Sequence, residues 1–182
     1  MAITLVLGGA RSGKSAYAEQ LAIQSAGPVV YIATATAGDA EMAARIAHHR
    51  ARRPVAWRTV EAPLDLAGAL QRHAAANTCV LVDCLTLWLS NLLFDGGMHY
   101  PDNGPIDPGP QFALRRDALL DVLLHLPGNI ILVSNEMGFG VTPMGAVSRF
   151  FVDEAGRLHQ RIATLAHQVR LIVAGCPVAV KG

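Results

Sequence analysis

Ile3-Thr4-Leu5-Val6-Leu7 runs without a break into Gly8-Gly9-Ala10-Arg11-Ser12-Gly13-Lys14-Ser15, and the second half of that stretch matches G-x-x-x-x-G-K-[ST] in full. The apolar run does not alternate with polar residues, so it reads as a strand buried on both faces. From Lys14 to Ser25 the chain is helix-forming. Strand, glycine turn and helix are the context this motif needs. The glycines let the backbone fold inward and aim successive N–H groups, and the helix N-terminus, at phosphate oxygens. Lys14 then reaches the β and γ oxygens, and the Ser15 hydroxyl is placed to ligate Mg²⁺. Thirteen of the 15 basic residues are arginine, and the two lysines are Lys14 and Lys181. A lysine thus occurs where a compact point charge is wanted. A glycine turn with an incidental Lys-Ser is the bland alternative, and motif, position and context weigh against it together.

Beyond this opening, short apolar runs alternate with helix-forming segments, the pattern of a parallel sheet covered by helices on both faces. Strands are expected at Ile3–Leu7, Pro28–Ala33, Ala56–Val60, Thr78–Asp83, Asn129–Ser134, Val169–Ala174 and Val178–Lys181. Helices are expected at Lys14–Ser25, Ala40–Arg52, Leu64–Ala76, Leu85–Phe94, Gln111–Leu126 and Met144–Gln168. The fold class is therefore α/β, one domain over residues 1–182 with a mostly parallel central sheet of about seven strands flanked by helices. Asp95 to Pro110 holds four Gly and four Pro, too many breakers for a helix or central strand. It reads as a long loop, either a lid or interface element or a plain surface excursion.

The 182 residues are 52% hydrophobic and 16% charged with a net charge of +1. That describes a globule with an apolar core, and it carries no overall basic field for nucleic acid or an anionic membrane. Cys79, Cys84 and Cys176 form no C-x-x-C pair and are odd in number. This argues against a zinc knuckle or a secreted disulfide framework and for a reducing, cytoplasmic setting. Met1 to Leu7 lacks the basic lead of a signal peptide, and the apolar stretch Cys79 to Phe94 is broken by Asp83 and Asn91. No membrane span is expected.

Val80-Leu81-Val82-Asp83 ends a second buried run in an acid, the usual companion of a phosphate loop. Asp83 can hold Mg²⁺ directly or through water, or it can cap the helix that begins near Leu85. From Met42 to Trp57 there are four arginines, two histidines and no acid, a local positive patch that the net charge conceals. Within this helix, which Asp39 caps and Pro54 stops, Met42, Ile46 and His49 fall on one i, i+4, i+7 stripe, and His48 is turned about 100° away. His49 is thus expected on the inward face. Neutral imidazole beside arginines is what a nucleophile for phosphorus requires. The same residues suit a solvated face that complements the helix C-terminal dipole, and spacing alone favours this reading. Arg58, Glu61 and Ser134-Asn135-Glu136 stand at or just beyond strand ends, where open parallel sheets bind ligands. Glu136 is a candidate base toward a hydroxyl or water, with capping or turn formation as its alternative.

Taken together, these residues resemble the bifunctional adenosylcobinamide kinase and adenosylcobinamide-phosphate guanylyltransferase family of cobalamin biosynthesis. The resemblance covers nearly the whole chain. It rests on Gly8 to Ser15, Tyr31-Ile32-Ala33-Thr34-Ala35, Glu41-Met42 with Arg45-Ile46 and His48-His49, Arg53-Pro54 with Trp57-Arg58-Thr59, and Asn135-Glu136 with Gly138 and Gly140. It implies a RecA-like P-loop NTPase domain, a homotrimer, and two reactions on a corrinoid. The γ-phosphate of ATP or GTP goes to the aminopropanol hydroxyl of adenosylcobinamide. A histidine then takes GMP from GTP and passes it to the new phosphate, giving adenosylcobinamide-GDP and pyrophosphate. The resemblance puts the guanylylated histidine at His49, with His48 as fallback. It also implies that Gly8, Gly9, Ala10, Arg11, Ser12, Gly13, Lys14 and Ser15 bind the triphosphate. Ala33, Thr34, Ala35, Arg50, Ala51, Arg52 and Arg53 would line the nucleotide site, Glu61 and Asp83 would complete it, and Ser15 and Asp83 would hold Mg²⁺. The expected partner is the corrinoid, not nucleic acid.

Two rival readings stay open on the residues alone. One is a P-loop small-molecule kinase without nucleotidyl transfer, in which the histidines are structural. The other is a nucleotide-switched binding module that uses the 95–110 loop for recognition.

Overall fold

The structure, a computed structural model, describes residues 2–25, 27–36, 40–51 and 53–182, apart from the side chains of 41, 42, 45, 46, 48 and 49. Its elements in chain order are β1 (Ala2–Gly8), α1 (Lys14–Gln24), β2 (Val29–Ala33), α2 (Ala40–Ala51), β3 (Arg58–Glu61), α3 (Leu66–His73), β4 (Cys79–Asp83), α4 (Leu85–Leu93), α5 (Pro110–Leu123), β5 (Asn129–Asn135), α6 (Ala146–Leu165), β6 (Gln168–Val173) and β7 (Cys176–Lys181). The seven strands form one sheet in the order β3-β2-β4-β5-β1-β6-β7. Every pair is parallel except β6 with β7.

The unbroken apolar strands are explained by their two covered faces. Ile3, Leu5, Ile32, Val80, Val82, Ile130 and Leu132 point into a core shared with Leu66 and Leu70 of α3, Trp88 and Leu89 of α4, Leu119 and Leu123 of α5, and Leu158 and Ile162 of α6. Val6, Tyr31, Leu81, Ile131 and Val133 point the other way, against Ala18 and Ala22 of α1. Successive strand residues therefore serve opposite cores, so neither parity can be polar. Trp88 is wholly buried, and its indole N–H donates to the Leu64 carbonyl at 3.0 Å.

Several expected boundaries are corrected. Asp65 accepts from the Gly68 N–H at 3.0 Å and so starts α3 at Leu66, two residues after the expected Leu64. The helix also ends at His73, because Ala75 and Thr78 close a turn ahead of β4. The third strand covers Arg58–Glu61 instead of Ala56–Val60, since Trp57 N–H donates to the Pro54 carbonyl in a turn. Helix α6 covers Ala146–Leu165, not Met144–Gln168: His167 N–H donates to the Ile3 carbonyl at 2.8 Å, and His167 Nδ1 accepts from Ile3 N–H at 3.1 Å. Pairing with β1 thus draws the residues after 165 out of the helix. The last strand begins at Cys176, two residues before the expected Val178, after a tight turn at Ala174 and Gly175 whose φ angles are +50° and +82°. Pro110 closes the 95–110 segment by opening α5 at its first position, where its missing N–H costs nothing. Among the described residues no helix is long and apolar enough to cross a membrane.

Gly128 sets the entry to β5 with φ +79°, and a β carbon there would fall 2.2 Å from the Ala75 carbonyl oxygen and 2.5 Å from that of Thr78. Gly128→Ala is expected to cost about 2 kcal/mol or more, from left-handed strain plus forced backbone movement. The measurement is a denaturant titration: the midpoint falls at unchanged slope, and a wild-type midpoint contradicts the account.

Candidate nucleotide site

Because β1, β2, β4 and β5 run parallel in close register, their C-terminal ends meet at one edge of the sheet. Glu61, Ala33, Asp83 and Val133 form one row of neighbours across β3, β2, β4 and β5. Gly8 pairs with Asn135 two residues further along. The sheet thus brings the glycine cradle, Asp83 and the residues after β5 together at the edge where open parallel sheets bind ligands. Strand β5 lies between β1 and β4, so its last residues stand between the cradle and Asp83.

The cradle itself is built by local bonds. Ser12 N–H donates to the Gly9 carbonyl at 3.2 Å, the Lys14 ammonium donates to the same carbonyl at 3.2 Å, and Tyr17 N–H donates to Gly13 at 3.0 Å as α1 begins. Gly13 has φ +95° and Arg11 φ +57°, the left-handed positions that turn the backbone inward. A β carbon at Gly8 would lie 2.4 Å from Ser12 Oγ and 2.9 Å from the Ile172 carbonyl, so close packing requires glycine there. On the far side, Gly175 in the turn before β7 donates its N–H to the Ser12 carbonyl at 2.8 Å.

Residues 33–35 divide their labour. Thr34 is wholly buried; its Oγ1 accepts from Cys84 N–H at 2.9 Å and donates to the Cys84 carbonyl at 2.8 Å. Its own carbonyl accepts from the Asn91 amide at 2.7 Å. The Thr34 side chain therefore joins the ends of β2 and β4. Ala33 and Ala35 are half-buried beside it.

One connected unit was not foreseen from the sequence. The Arg53 guanidinium lies 3.4 Å from the centre of the Tyr31 ring, whose other neighbour is Trp57 at 6.5 Å, stacked within 27°. The Tyr31 hydroxyl donates to Asp83 Oδ2 at 3.0 Å. Burial first, then the Asp83 charge, raise the Tyr31 phenol above its ordinary range, with Arg53 acting in the opposite sense. Tyr31 is thus a neutral donor that orients Asp83, and it ties the arginine segment after α2 to the acid at the end of β4.

Past β5, Glu136 N–H donates to the Gly8 carbonyl at 3.0 Å, which holds this residue against the cradle. Its carboxylate oxygens face Gly138 N–H at 2.6 Å and His159 Nδ1 at 3.8 Å. His159 Nε2 lies 2.7 Å from Ser134 Oγ. Sequence reading passed over His159, yet the signal was there: Ala155, Leu158 and Ile162 mark the buried stripe of α6, and position 159 falls on it.

The remaining expected residues are placed as follows. Glu61, Arg50 and Ala51 are exposed, and Arg53 is half-buried. Arg52, Asp39 and the side chains of His48 and His49 lie outside the described residues, although the backbone at 48 and 49 belongs to the last turns of α2. The Ser15 hydroxyl and Asp83 offer two hard oxygen donors, and among the described residues no cluster of three or more His, Cys, Asp or Glu could hold a metal. A cation here would draw its other ligands from phosphates and water, the coordination habit of Mg²⁺, and two hard oxygen donors suit it.

A family model described as cobinamide kinase / cobinamide phosphate guanyltransferase matches residues 4–180. The chain is 56% identical over 178 residues to the bifunctional adenosylcobalamin biosynthesis protein CobP of Pseudomonas aeruginosa, covering 98% of this chain and 96% of that protein. It is 43% identical over 180 residues to the bifunctional adenosylcobalamin biosynthesis protein CobU of Escherichia coli, covering 97% and 98%. Among solved structures, a prototypical ATPase of a bacterial type III secretion system superposes with a TM-score of 0.57 at 11% identity, over 93% of this chain and 50% of that one. The ATPase EscN of enteropathogenic Escherichia coli superposes at 0.58 and 12% identity, over 95% and 43%. These two likenesses carry the fold alone, and in each the present chain spans half or less of the ATPase.

Proposed function

The chain belongs to the cobinamide kinase / cobinamide phosphate guanyltransferase family, and from that premise we propose how its residues divide the two reactions. The chain is a kinase and guanylyltransferase of cobalamin biosynthesis with nucleotide substrates. The bare kinase and the nucleotide switch are not favoured. The single observation that carries the division is the meeting of cradle, Asp83 and Glu136 at one sheet edge, with α2 joined to it through Arg53 and Tyr31.

In the phosphorylation step, the N–H groups of Gly8 to Ser15 and the Lys14 ammonium grip the triphosphate of ATP or GTP. The aminopropanol hydroxyl of adenosylcobinamide attacks the γ-phosphorus, and the nucleoside diphosphate leaves. In the second step, neutral His49 attacks the α-phosphorus of GTP in line. A P–N bond forms, the α–β bond breaks, and pyrophosphate leaves from the cradle. The phosphate of adenosylcobinamide phosphate then displaces the imidazole, which leaves readily once protonated. Arg50 and Arg53 stabilise charge on the transferring groups. Ser15 and Asp83 would hold Mg²⁺, which when bound would neutralise charge on the phosphates. Ala33, Thr34, Ala35, Ala51, Arg52 and Glu61 surround the nucleotide. By the family resemblance the working unit is a cytoplasmic homotrimer with no nucleic-acid partner.

The test is intact mass after incubation with Mg²⁺ and GTP and no corrinoid. One covalent GMP, labile to acid and stable to base, is expected; its absence from folded, nucleotide-binding protein overturns the histidine route. Asp83→Asn keeps an acceptor for Tyr31 and removes a charge. It is expected to lower both turnover rates by about 10- to 100-fold and to raise the Mg²⁺ concentration needed for half-maximal rate. An unchanged Mg²⁺ requirement contradicts the assignment.

A further inference from the structure

The phosphorylation step leaves one proton unassigned, and the polar cluster behind the cradle offers a place for it. The backbone of Glu136 stands beside the first glycine of the cradle, because Glu136 N–H continues the β1–β5 pairing onto the Gly8 carbonyl at 3.0 Å. Its side chain is 18% exposed, open enough to meet a substrate hydroxyl. One carboxylate oxygen accepts from Gly138 N–H at 2.6 Å, and the other faces His159 Nδ1 at 3.8 Å. A β carbon at 138 would lie 3.0 Å from the first oxygen, so the turn that supplies this N–H is closely fitted.

His159 is in turn held from two sides. Its Nε2 meets Ser134 Oγ at 2.7 Å, and Ser134 is wholly buried at the end of β5. The helix that carries it is tied to α5 by Arg116 with Glu154 at 2.7 Å and by Arg161 with Asp117 at 2.7 Å. Burial pulls the imidazole below the ordinary histidine range, with the Glu136 charge opposing, so the ring is neutral near pH 7. A neutral ring has one N–H. If Ser134 donates to Nε2, that N–H is on Nδ1 and faces the carboxylate. The 3.8 Å separation is longer than a hydrogen bond and within electrostatic reach, as catalytic contacts often are before substrate closes on them.

Resting on the kinase assignment above, we infer that Ser134 and His159 are positioning residues that aim Glu136 as the base of the phosphorylation step. The acceptor hydroxyl gives its proton to the Glu136 carboxylate, its oxygen forms the new bond to the γ-phosphorus, and the γ-phosphorus–oxygen bond to the nucleoside diphosphate breaks. His159 keeps its own proton throughout. Neither Ser134 nor His159 touches substrate.

The experiment measures kcat and KM for ATP-dependent phosphorylation of adenosylcobinamide, with melting temperature and GTP-only GMP labelling as controls on the folded site. Glu136→Gln is expected to lower kcat by about 10²- to 10⁴-fold with KM near wild type. His159→Leu and His159→Gln are expected to lower kcat by about 10- to 100-fold, and neither is expected to lower it further in the Glu136→Gln background. His159→Asn, whose amide nitrogen takes the place of Nδ1, is expected to recover most of the loss. Should the apolar variant fail to fold, the two amide variants still decide the matter. Wild-type kcat in Glu136→Gln, an equal loss from His159→Gln in both backgrounds, or loss of melting temperature alone would overturn the inference. Wild-type protein that phosphorylates no cobinamide would overturn the kinase assignment and the inference with it.

Discussion

Replacing His49 by alanine is expected to abolish guanylyl transfer, a loss of about 10³-fold or more, and to leave ATP-dependent phosphorylation of adenosylcobinamide measurable. The asymmetry follows from the chemistry. Removing a covalent nucleophile deletes the route itself, whereas the γ-phosphoryl transfer passes directly between two oxygens and needs no bond to the protein. In the GTP-only mass measurement, the adduct should vanish in His49→Ala and persist in His48→Ala. Equal loss of both activities in folded His49→Ala contradicts the division of roles, and an adduct lost only in His48→Ala moves the nucleophile by one residue. The position of His49 in the last turns of α2 is favourable, because the segment that follows reaches Asp83 through Arg53 and the Tyr31 hydroxyl.

The second large effect is expected at Lys14. Its ammonium donates to the Gly9 carbonyl of the cradle at 3.2 Å, and in the proposed role a β- or γ-phosphate oxygen would replace that carbonyl as its partner. Both reactions pass charge onto those oxygens, in one case to nucleoside diphosphate and in the other to pyrophosphate. Lys14→Ala is therefore expected to lower both rates together, by about 10²- to 10³-fold, the usual cost of one preorganised donor. Lys14→Arg should rescue poorly, since the cradle is shaped for a point charge and not a planar fork. Unimpaired turnover of either reaction in Lys14→Ala would show that the two steps do not share the cradle.

Much of this architecture was legible because it is local. The phosphate loop, the strand before it and the helix after it lie within residues 2–24, and the Ser12–Gly9, Lys14–Gly9 and Tyr17–Gly13 bonds span 5 residues or fewer. The acid at Asp83 was legible for the same reason, as the end of an apolar run. What the residues could not disclose was strand order. That β5 lies between β1 and β4 depends on pairings across tens of residues, and this placement is what brings Glu136 to Gly8. Tyr31 reads as one more apolar position in a buried strand; its hydroxyl matters only because β2 and β4 are neighbours in register. Thr34 reads as a nucleotide contact, and the structure shows its hydroxyl bonded to the Cys84 backbone. The misjudged ends of α3 and α6 share a cause, since an Asp65 cap and a pairing with Ile3 outcompete helix propensity at those residues.

The turn at Ala174 and Gly175, bonded to the Ser12 carbonyl, gives the protein an order of assembly. The cradle is made before its partners: among the described residues β1 pairs with β5 and β6, and the loop is braced by a residue made about 160 positions later. At about 5–20 residues per second, that interval is roughly ten to thirty seconds of synthesis. Through the greater part of it the first strand lacks both of its neighbours in the sheet, β5 and β6. The brace on the cradle therefore arrives with the β6–β7 hairpin, the last of these strands to be made.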